Sequence, residues 1–170
     1  MQGEPQMTIK QIENYHKIYT AVHYCHKHSP DTWSDHECNR ILSATMAGKS
    51  FSWRVIGITM QALQQFKELD FKYKSGQGFT RAHLISRIQT VRSLLVSETP
   101  VSATEFYNTW TNNDKTIICA RGENREVVPQ YISINNEDGD LFSCEGKLAG
   151  WRHTRNEREF LRNLFDELHK

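Results

Sequence analysis

The stretch from Phe79 to Arg92 reads FTRAHLISRIQTVR and holds a single histidine, His83, between Arg81 and Arg87. It belongs to a long segment without acidic side chains, since no Asp or Glu occurs from residue 71 to residue 97. The basic residues of this segment are Lys72, Lys74, Arg81, Arg87 and Arg92. Clustered positive charge, in a chain whose net charge is only +1, indicates a surface that faces phosphate groups. A solvated loop followed by an ordinary amphipathic helix is the alternative interpretation.

The same stretch predicts an extended segment followed by a helix. Residues 79–84 are expected to be extended, and the apolar residues after them recur at helical spacing. That apolar stripe consists of Ile85, Ile88, Val91, Leu94 and Leu95. Because Arg87 and Arg92 lie off the stripe, we expect both side chains to stay at the surface.

Helical and strand patterns continue on both sides of this stretch. The predicted helices are residues 8–27, a helix from Asp31 or Ser34 to Gly48, a helix capped by Thr59, a short helix capped by Ser102 or Thr104, and residues 154–168. Short strands are predicted at 116–120, 131–134 and 141–144, and the last two would pair as a hairpin. Residues 51–58 form either a strand or the entry to the next helix.

These elements predict an α+β protein. An N-terminal helical part covers residues 1–75, and the basic, glycine-containing segment 72–78 connects it to the rest. Residues 76–170 are expected to form a small α/β part with short antiparallel strands and a C-terminal helix. By default, we assign residues 1–75 to specificity or dimerisation.

Composition narrows the class of protein and its location. A chain of 170 residues forms one domain or two small ones. The four cysteines are far apart, and the N-terminus has no apolar signal. No apolar run approaches the roughly 20 residues that span a bilayer. We therefore expect reduced thiols, a cytoplasmic location and no membrane partner.

A patch rich in histidine and cysteine follows the first predicted helix. It consists of His23, Cys25, His26, His28, His36 and Cys38. Zinc uses such ligands, but residues two apart on a helix point to different faces. A polar helix end is therefore favoured over a metal site.

Residues 51–69 allow a further interpretation. An apolar turn, Gly57 and a helix capped by Thr59 resemble a helix-turn-helix module. Ordinary packing of the helix explains the same pattern equally well.

Two segments together resemble the HNH nucleases, also called ββα-metal nucleases. The first is Thr80–Arg87, with a histidine followed by two apolar residues, and the second is Asp114–Arg125, a short apolar strand that runs into a polar loop with Asn124. The resemblance covers roughly residues 78–126 and implies a ββα-metal-like arrangement. In that family the histidine is the general base and the asparagine helps to hold a divalent metal.

Carried over, the resemblance makes His83 the base, Asn124 a metal-supporting residue and Arg125 the basic residue after it. It also implies Mg²⁺ or another divalent metal, with Glu123 beside Asn124 as a further ligand. Asp114 and Asp138 are alternatives for that ligand. The chain departs from the family at Ala82, where a metal ligand often stands, and in its long separation between His83 and Asn124.

The leading hypothesis is a metal-dependent DNA endonuclease that hydrolyses phosphodiester bonds, of a restriction or phage-defence type. Its expected catalytic residues are His83, Asn124 and Arg125. Its expected nucleic-acid-binding residues are Lys72, Lys74, Arg81, Arg87, Arg92 and Arg121. RNA stays open as the substrate, and a homodimer would serve a double cut because one metal site cuts one strand.

Two other functions compete with this hypothesis. The first is a non-catalytic nucleic-acid-binding module, which Ala82 favours, with aromatic side chains that stack on bases. The aromatic residues near basic ones are Trp53, Tyr73, Phe79 and Trp151. The second is a protein-interaction regulator that uses the tyrosines and histidines of the N-terminal helix.

Overall fold

The computed structural model describes residues 7–49, 51–74, 76–124, 128–147 and 150–170. The helices in this part of the chain are α1 (Ile9–His28), α2 (Asp35–Met46), α3 (Met60–Glu68), α4 (Arg87–Leu95), α5 (Ala103–Asn113) and α6 (Arg155–Leu168). The strands are β1 (Arg54–Ile58), β2 (Phe79–His83), β3 (Lys115–Ala120) and β4 (Ile132–Ser133). The α+β class is confirmed, with helices at the N-terminus and one at the C-terminus.

Side-chain hydroxyls fix where the helices begin. Thr8 caps α1, Ser34 caps α2 and Thr59 caps α3, each through a bond from a backbone N–H three residues on. Such caps satisfy one of the free donors of the first turn. Ser102 caps α5 and Thr154 caps α6. The predicted Thr59 cap is confirmed, and of the open alternatives the structure has Ser34 and Ser102.

The strands form one mixed sheet in the order β2-β3-β1-β4. β2 pairs antiparallel with β3, which brings His83 opposite Thr116 and Phe79 opposite Ala120. β4 pairs antiparallel with β1, whereas β1 and β3 are parallel. The parallel pair is possible because α3, β2, α4 and α5 lie between β1 and β3 in the chain.

Two large groups of buried side chains and one small group hold these layers together. The sheet core contains Phe66 of α3, Ile118 of β3 and Leu161 of α6. The helical core joins α1, α2, α4 and α5 through residues such as Tyr19, Leu42, Val91 and Trp110. The helical core therefore draws on both sides of residue 75, and a functional division at that residue stays a prediction.

The predicted strand at 141–144 is wrong. Phe142 has a backbone φ of 57°, which a strand does not allow. The Asn136 side chain, 6% exposed, binds the carbonyl oxygens of Val55 and Leu141 and the Leu141 N–H. The buried Asn136 side chain thus bonds the Leu141 N–H and carbonyl, which a hairpin would have paired with another strand.

The helix-turn-helix interpretation is also wrong. β1 directly precedes α3, so this segment is a strand followed by a helix. Ala62, Leu63 and Phe66 of α3 are buried in the sheet core. The face of α3 that carries its apolar residues therefore packs inward against the sheet.

The His/Cys patch serves packing and helix ends. His23 binds the carbonyl of Ser97 at 2.9 Å, and His26 binds that of Trp33 at 2.8 Å. Cys38 is fully buried in the helical core. Within the described residues, no group of three or more His, Cys, Asp or Glu could hold a metal. Nor does this part of the chain contain a helix with the length and apolar character to cross a bilayer.

Helix α6 offers a matched test of the sheet core. Leu161 is fully buried, whereas Leu168 on the same helix is 44% exposed. We expect Leu161→Ala to lower the free energy of unfolding by about 2–5 kcal/mol, because it removes buried methyl groups and leaves a cavity. Leu168→Ala should change it by less than about 1 kcal/mol. Denaturant unfolding measures both, and equal losses would contradict the packing of α6 on the sheet.

Candidate active site

Asp114 is the centre of a buried hydrogen-bond network. Its Oδ1 accepts from His83 Nε2 and from Arg87 Nε, both at 2.9 Å. Its Oδ2 accepts from Arg87 Nη2 at 2.8 Å, from the Trp53 N–H at 3.0 Å and from Ser52 Oγ at 3.3 Å. The side chain is 1% exposed, so the carboxylate contacts protein rather than solvent.

Four segments of the chain converge on this carboxylate. Asp114 is the C-cap of α5 and is followed at once by β3. His83 ends β2, and Arg87 begins α4 after the Ser86 cap. The turn that contains Ser52 and Trp53 leads into β1. The pairing of β2 with β3 brings His83 to the end of the sheet where β3 begins.

The Asp114 carboxylate is ionised well into acid. Burial by itself would raise its pKa, but hydrogen bonds from His83 and Arg87, together with the charge of Arg87, lower the pKa well below the ordinary 3.8. A buried charge is tolerated when it is paired and fully hydrogen-bonded. Asp114 therefore supplies a fixed negative charge behind His83.

That negative charge fixes the tautomer of His83. An ionised carboxylate only accepts hydrogen bonds, so His83 Nε2 must carry the proton that it shares with Asp114. In the neutral ring, Nδ1 then carries a lone pair. Among the described residues, Nδ1 has no hydrogen-bond partner, and the side chain is 15% exposed. His83 is thus an oriented base with one free nitrogen.

Arg87 holds the carboxylate with a two-point fork. Its Nε and Nη2 bind the two oxygens of Asp114, and Nη2 also donates to Ser52 Oγ at 3.1 Å. Nη1 has no hydrogen-bond partner in the described part of the chain. The side chain is 13% exposed and lines the cavity beside His83, so Arg87 is partly buried rather than an open surface residue as expected. A helical stripe shows only which residues face one core, whereas Arg87 faces the Asp114 carboxylate.

Trp53 borders the site and has a strained backbone. Its φ of 57° is unusual for a bulky residue. Its N–H binds Asp114, and its carbonyl accepts from Arg81 Nη1 at 2.7 Å and from Thr116 Oγ1 at 3.0 Å. Its ring centroid lies 4.4 Å from that of His83. Several bonds therefore hold a conformation that the isolated chain would avoid.

Arg81 is a buried cation on the sheet side of the site, 9% exposed. Its guanidinium donates to the carbonyls of Trp53 and Gly150 and contacts the Cys144 sulfur. Within the described residues it forms no ion pair with a carboxylate. Burial lowers the pKa of the guanidinium, and Cys144 and Asp114 oppose that effect.

An open cavity of 610 Å³ lies beside His83. Its lining includes Arg81, His83, Arg87 and Asn124. The structure therefore brings the expected base and the expected metal-supporting asparagine to one surface. Arg125, the third expected catalytic residue, lies outside the described residues.

The other expected metal ligand is engaged elsewhere. Glu123 Oε2 accepts from Thr59 Oγ1 and from the Ala120 N–H, both at 2.6 Å. Asp114 has both oxygens occupied and Arg87 against it. Only Oε2 of Glu123 is engaged by these bonds, and Asn124 lines the cavity beside His83. A divalent metal held by Glu123 and Asn124 stays a prediction.

The remaining expected phosphate-binding residues are spread over the surface. Lys72 pairs with Asp70 at 3.0 Å, and Arg92 pairs with Asp35 at 2.7 Å. Lys74 and Arg121 are exposed, and no ion pair holds Arg121 among the described residues. The acid-free segment thus contributes the buried Arg81, the partly buried Arg87 and exposed basic residues, two of which pair with carboxylates.

The three buried cysteines, Cys38, Cys119 and Cys144, do not supply an activated nucleophile. Burial raises the pKa of Cys119 to about 11, with the charge of Glu123 adding to the effect. Burial also raises the pKa of Cys38 and of Cys144, although Arg81 opposes the shift at Cys144. These three groups are neutral thiols at neutral pH.

No protein-family model, curated protein or solved structure matches this chain. The likeness to HNH nucleases stays a prediction from the two short segments. β2 and β3 do pair antiparallel, but two helices separate them in the chain, and among the described residues β4 is the next regular element after Asn124.

Sequence reasoning missed the roles of Ser52, Trp53 and Asp114. Asp114 stood out only as the first residue of the segment Asp114–Arg125 and as an alternative metal ligand. The available signal was a lone acid just before the most apolar strand, which is a costly place for a charge without a partner. Nothing in the sequence connects residue 52 or 53 to it.

The network predicts a specific dependence of stability on pH. Because the folded pKa of Asp114 is below its ordinary 3.8, its ionised form stabilises the protein above that pH and loses this effect as the pH falls. We expect Asp114→Asn to lower the free energy of unfolding by about 3 kcal/mol at pH 7, since Arg87 loses its buried partner. Between pH 5 and pH 3 the gap to wild type should narrow by about 1 kcal/mol.

Denaturant unfolding at several pH values measures this gap, with Asp166→Asn as the control. Asp166 is exposed on α6, and its replacement should leave the pH profile unchanged. A gap in the free energy of unfolding that stays constant down to pH 3 would show that the neighbours of Asp114 do not lower its pKa.

Proposed function

We propose that this protein hydrolyses phosphodiester bonds in nucleic acid, with DNA as the first substrate to test and His83 as the general base. The observation that carries the proposal is the bond from His83 Nε2 to Asp114 Oδ1 at 2.9 Å. It leaves Nδ1 free beside an open cavity. An oriented histidine with a lone pair toward solvent is the arrangement that general-base catalysis needs.

The proposed step is hydrolysis of a phosphodiester, in which a P–O bond to the water oxygen replaces one P–O ester bond. His83 Nδ1 removes a proton from a water molecule as the water oxygen attacks phosphorus. One P–O ester bond breaks, and the leaving alkoxide takes a proton from solvent. Asp114 stabilises the imidazolium that forms and keeps the ring in place. The protonated ring then returns its proton to solvent.

Arg87 supports this step through its position beside the base. The guanidinium centre lies 4.9 Å from the Trp53 ring, and two of its nitrogens are fixed on Asp114. Its unpaired Nη1 can donate to a phosphate oxygen that enters the cavity. A donor held in advance stabilises the charge that develops on phosphate without reorganising.

A nucleic-acid-binding module without catalysis is the second candidate function. Ala82, at a position where the HNH family often has a metal ligand, favours it. The engaged carboxylate of Glu123 favours it as well.

A cytoplasmic location and a homodimer that cuts two strands are parts of our proposal. The free thiols of Cys25, Cys38, Cys119 and Cys144 support the location.

The test is incubation of the purified protein with supercoiled plasmid and, separately, with single-stranded RNA. Each reaction contains Mg²⁺, Mn²⁺ or EDTA, so that the assay also answers the predicted metal requirement. We expect wild type to nick the plasmid. His83→Ala should lower the rate at least about 100-fold, because a general base contributes about 10²–10⁴.

His36→Ala is the matched control, since His36 is an exposed histidine on α2. It should cleave as wild type does. Cleavage by His83→Ala at the wild-type rate would exclude His83 as the base. A plasmid that stays intact but shifts on a gel would support the binding module instead.

A further inference from the structure

A second cavity adjoins the one beside His83 and shares Trp53 and Arg81 with it. Its volume is 300 Å³, which is at the lower end of small-molecule sites. The catalytic proposal uses none of its other residues. Three properties of its lining define what would bind there: aromatic walls, positive charge and a buried cation.

The walls are aromatic. Trp53, Tyr73, Phe79 and Trp151 all line this cavity. The rings of Tyr73 and Trp151 stack at 4.4 Å, and Tyr73 also meets the Phe79 ring at 5.9 Å. These residues come from separate parts of the chain, and their side chains support one another. Such rigid apolar walls suit a flat aromatic group.

The charge of the lining is positive. Arg81, Arg121 and Lys147 line the cavity, and none of its described lining residues is acidic. Arg121 and Lys147 are exposed and have no ion-pair partner among the described residues. Glu145, close to Lys147 in sequence, pairs instead with Arg152 at 3.6 Å. The mouth therefore presents two cations that are free to bind an anion.

Arg81 adds a reason for an anion to enter. Its guanidinium binds the Gly150 carbonyl at 2.9 Å and contacts Cys144, and both residues line the same cavity. Its centre lies 5.0 Å from the Trp151 ring and 5.5 Å from the Trp53 ring. The direct partners of Arg81 are neutral, and it forms no ion pair with a carboxylate among the described residues, although the charge of Asp114 acts on it. A bound anion would add the counter-charge that an ion pair supplies.

We infer that this second cavity binds a single unstacked nucleotide, with its base against the aromatic wall and its phosphate on Arg121 and Lys147. The site rests on the proposed function only in that the nucleotide would belong to the strand that reaches His83. Trp53 and Arg81 form the boundary between the two cavities, so an unstacked nucleotide and the adjoining phosphodiester could occupy them together. Aromatic and basic groups of this kind bind single strands with little dependence on sequence.

The experiment measures binding of dAMP by calorimetry to the full chain that carries His83→Ala, so that catalysis plays no part. We expect the double variant Arg121→Ala, Lys147→Ala in that background to weaken dAMP binding at least about tenfold. Arg40→Ala is the matched control, because Arg40 is 76% exposed and pairs only with Glu37. It should leave binding unchanged.

Further ligands separate the parts of the proposal. Deoxyadenosine lacks the phosphate and inorganic phosphate lacks the base, and each should bind at least about tenfold more weakly than dAMP. Comparing the binding of AMP with that of dAMP shows whether the cavity distinguishes ribose from deoxyribose. A short oligodeoxyadenylate compares a strand with a free nucleotide, and we expect the strand to bind at least as tightly.

Equal binding of dAMP by the double variant and its parent would overturn the site, as would the absence of dAMP binding at millimolar concentration. This result is independent of the cleavage assay. Cleavage by wild type without nucleotide binding would reject the cavity and keep the catalytic proposal. Nucleotide binding without cleavage would keep the nucleotide site and reject the catalytic proposal.

Discussion

The site depends on the hydrogen bonds and the ion pair that the buried carboxylate of Asp114 forms. This carboxylate joins a turn, the end of β2, the start of α4 and the junction between α5 and β3. A single charge in this position cannot be left without partners, so these segments must reach their places together. The same requirement explains why a tryptophan with positive φ is tolerated directly before β1.

The network also connects the two cores. Arg87 belongs to α4, whose Val91, Leu94 and Leu95 pack in the helical core. His83 and Asp114 belong to elements that border the sheet. The polar contacts therefore lie where the helical layer meets the sheet, and the open cavity is at the same junction. Grooves between packed layers are common places for binding sites, because side chains from separate elements converge there.

Two histidines show how environment separates structural from chemical roles. His153 binds the carbonyl of Phe71 at 2.8 Å and lies among aromatic rings, where burial lowers its pKa. His83 instead contacts a fixed carboxylate and keeps one nitrogen free at an open cavity. Its position, rather than its residue type, makes it the candidate base.

Local sequence patterns predicted the helices, several of their caps and β3, because these depend on local spacing and on Ser or Thr at particular positions. Thr59 before α3 and the apolar run of β3 are examples. The patterns left residues 51–58, which contain β1, open between a strand and the entry to a helix. The sequence also drew attention to His83, Arg81 and Arg87 through the missing acids around them. Only the tertiary structure showed that Arg87 is partly buried and that Asp114 is its partner, since residues 27 apart in the chain meet there. Local patterns carry no information about which distant charge neutralises which, and packing alone decides it.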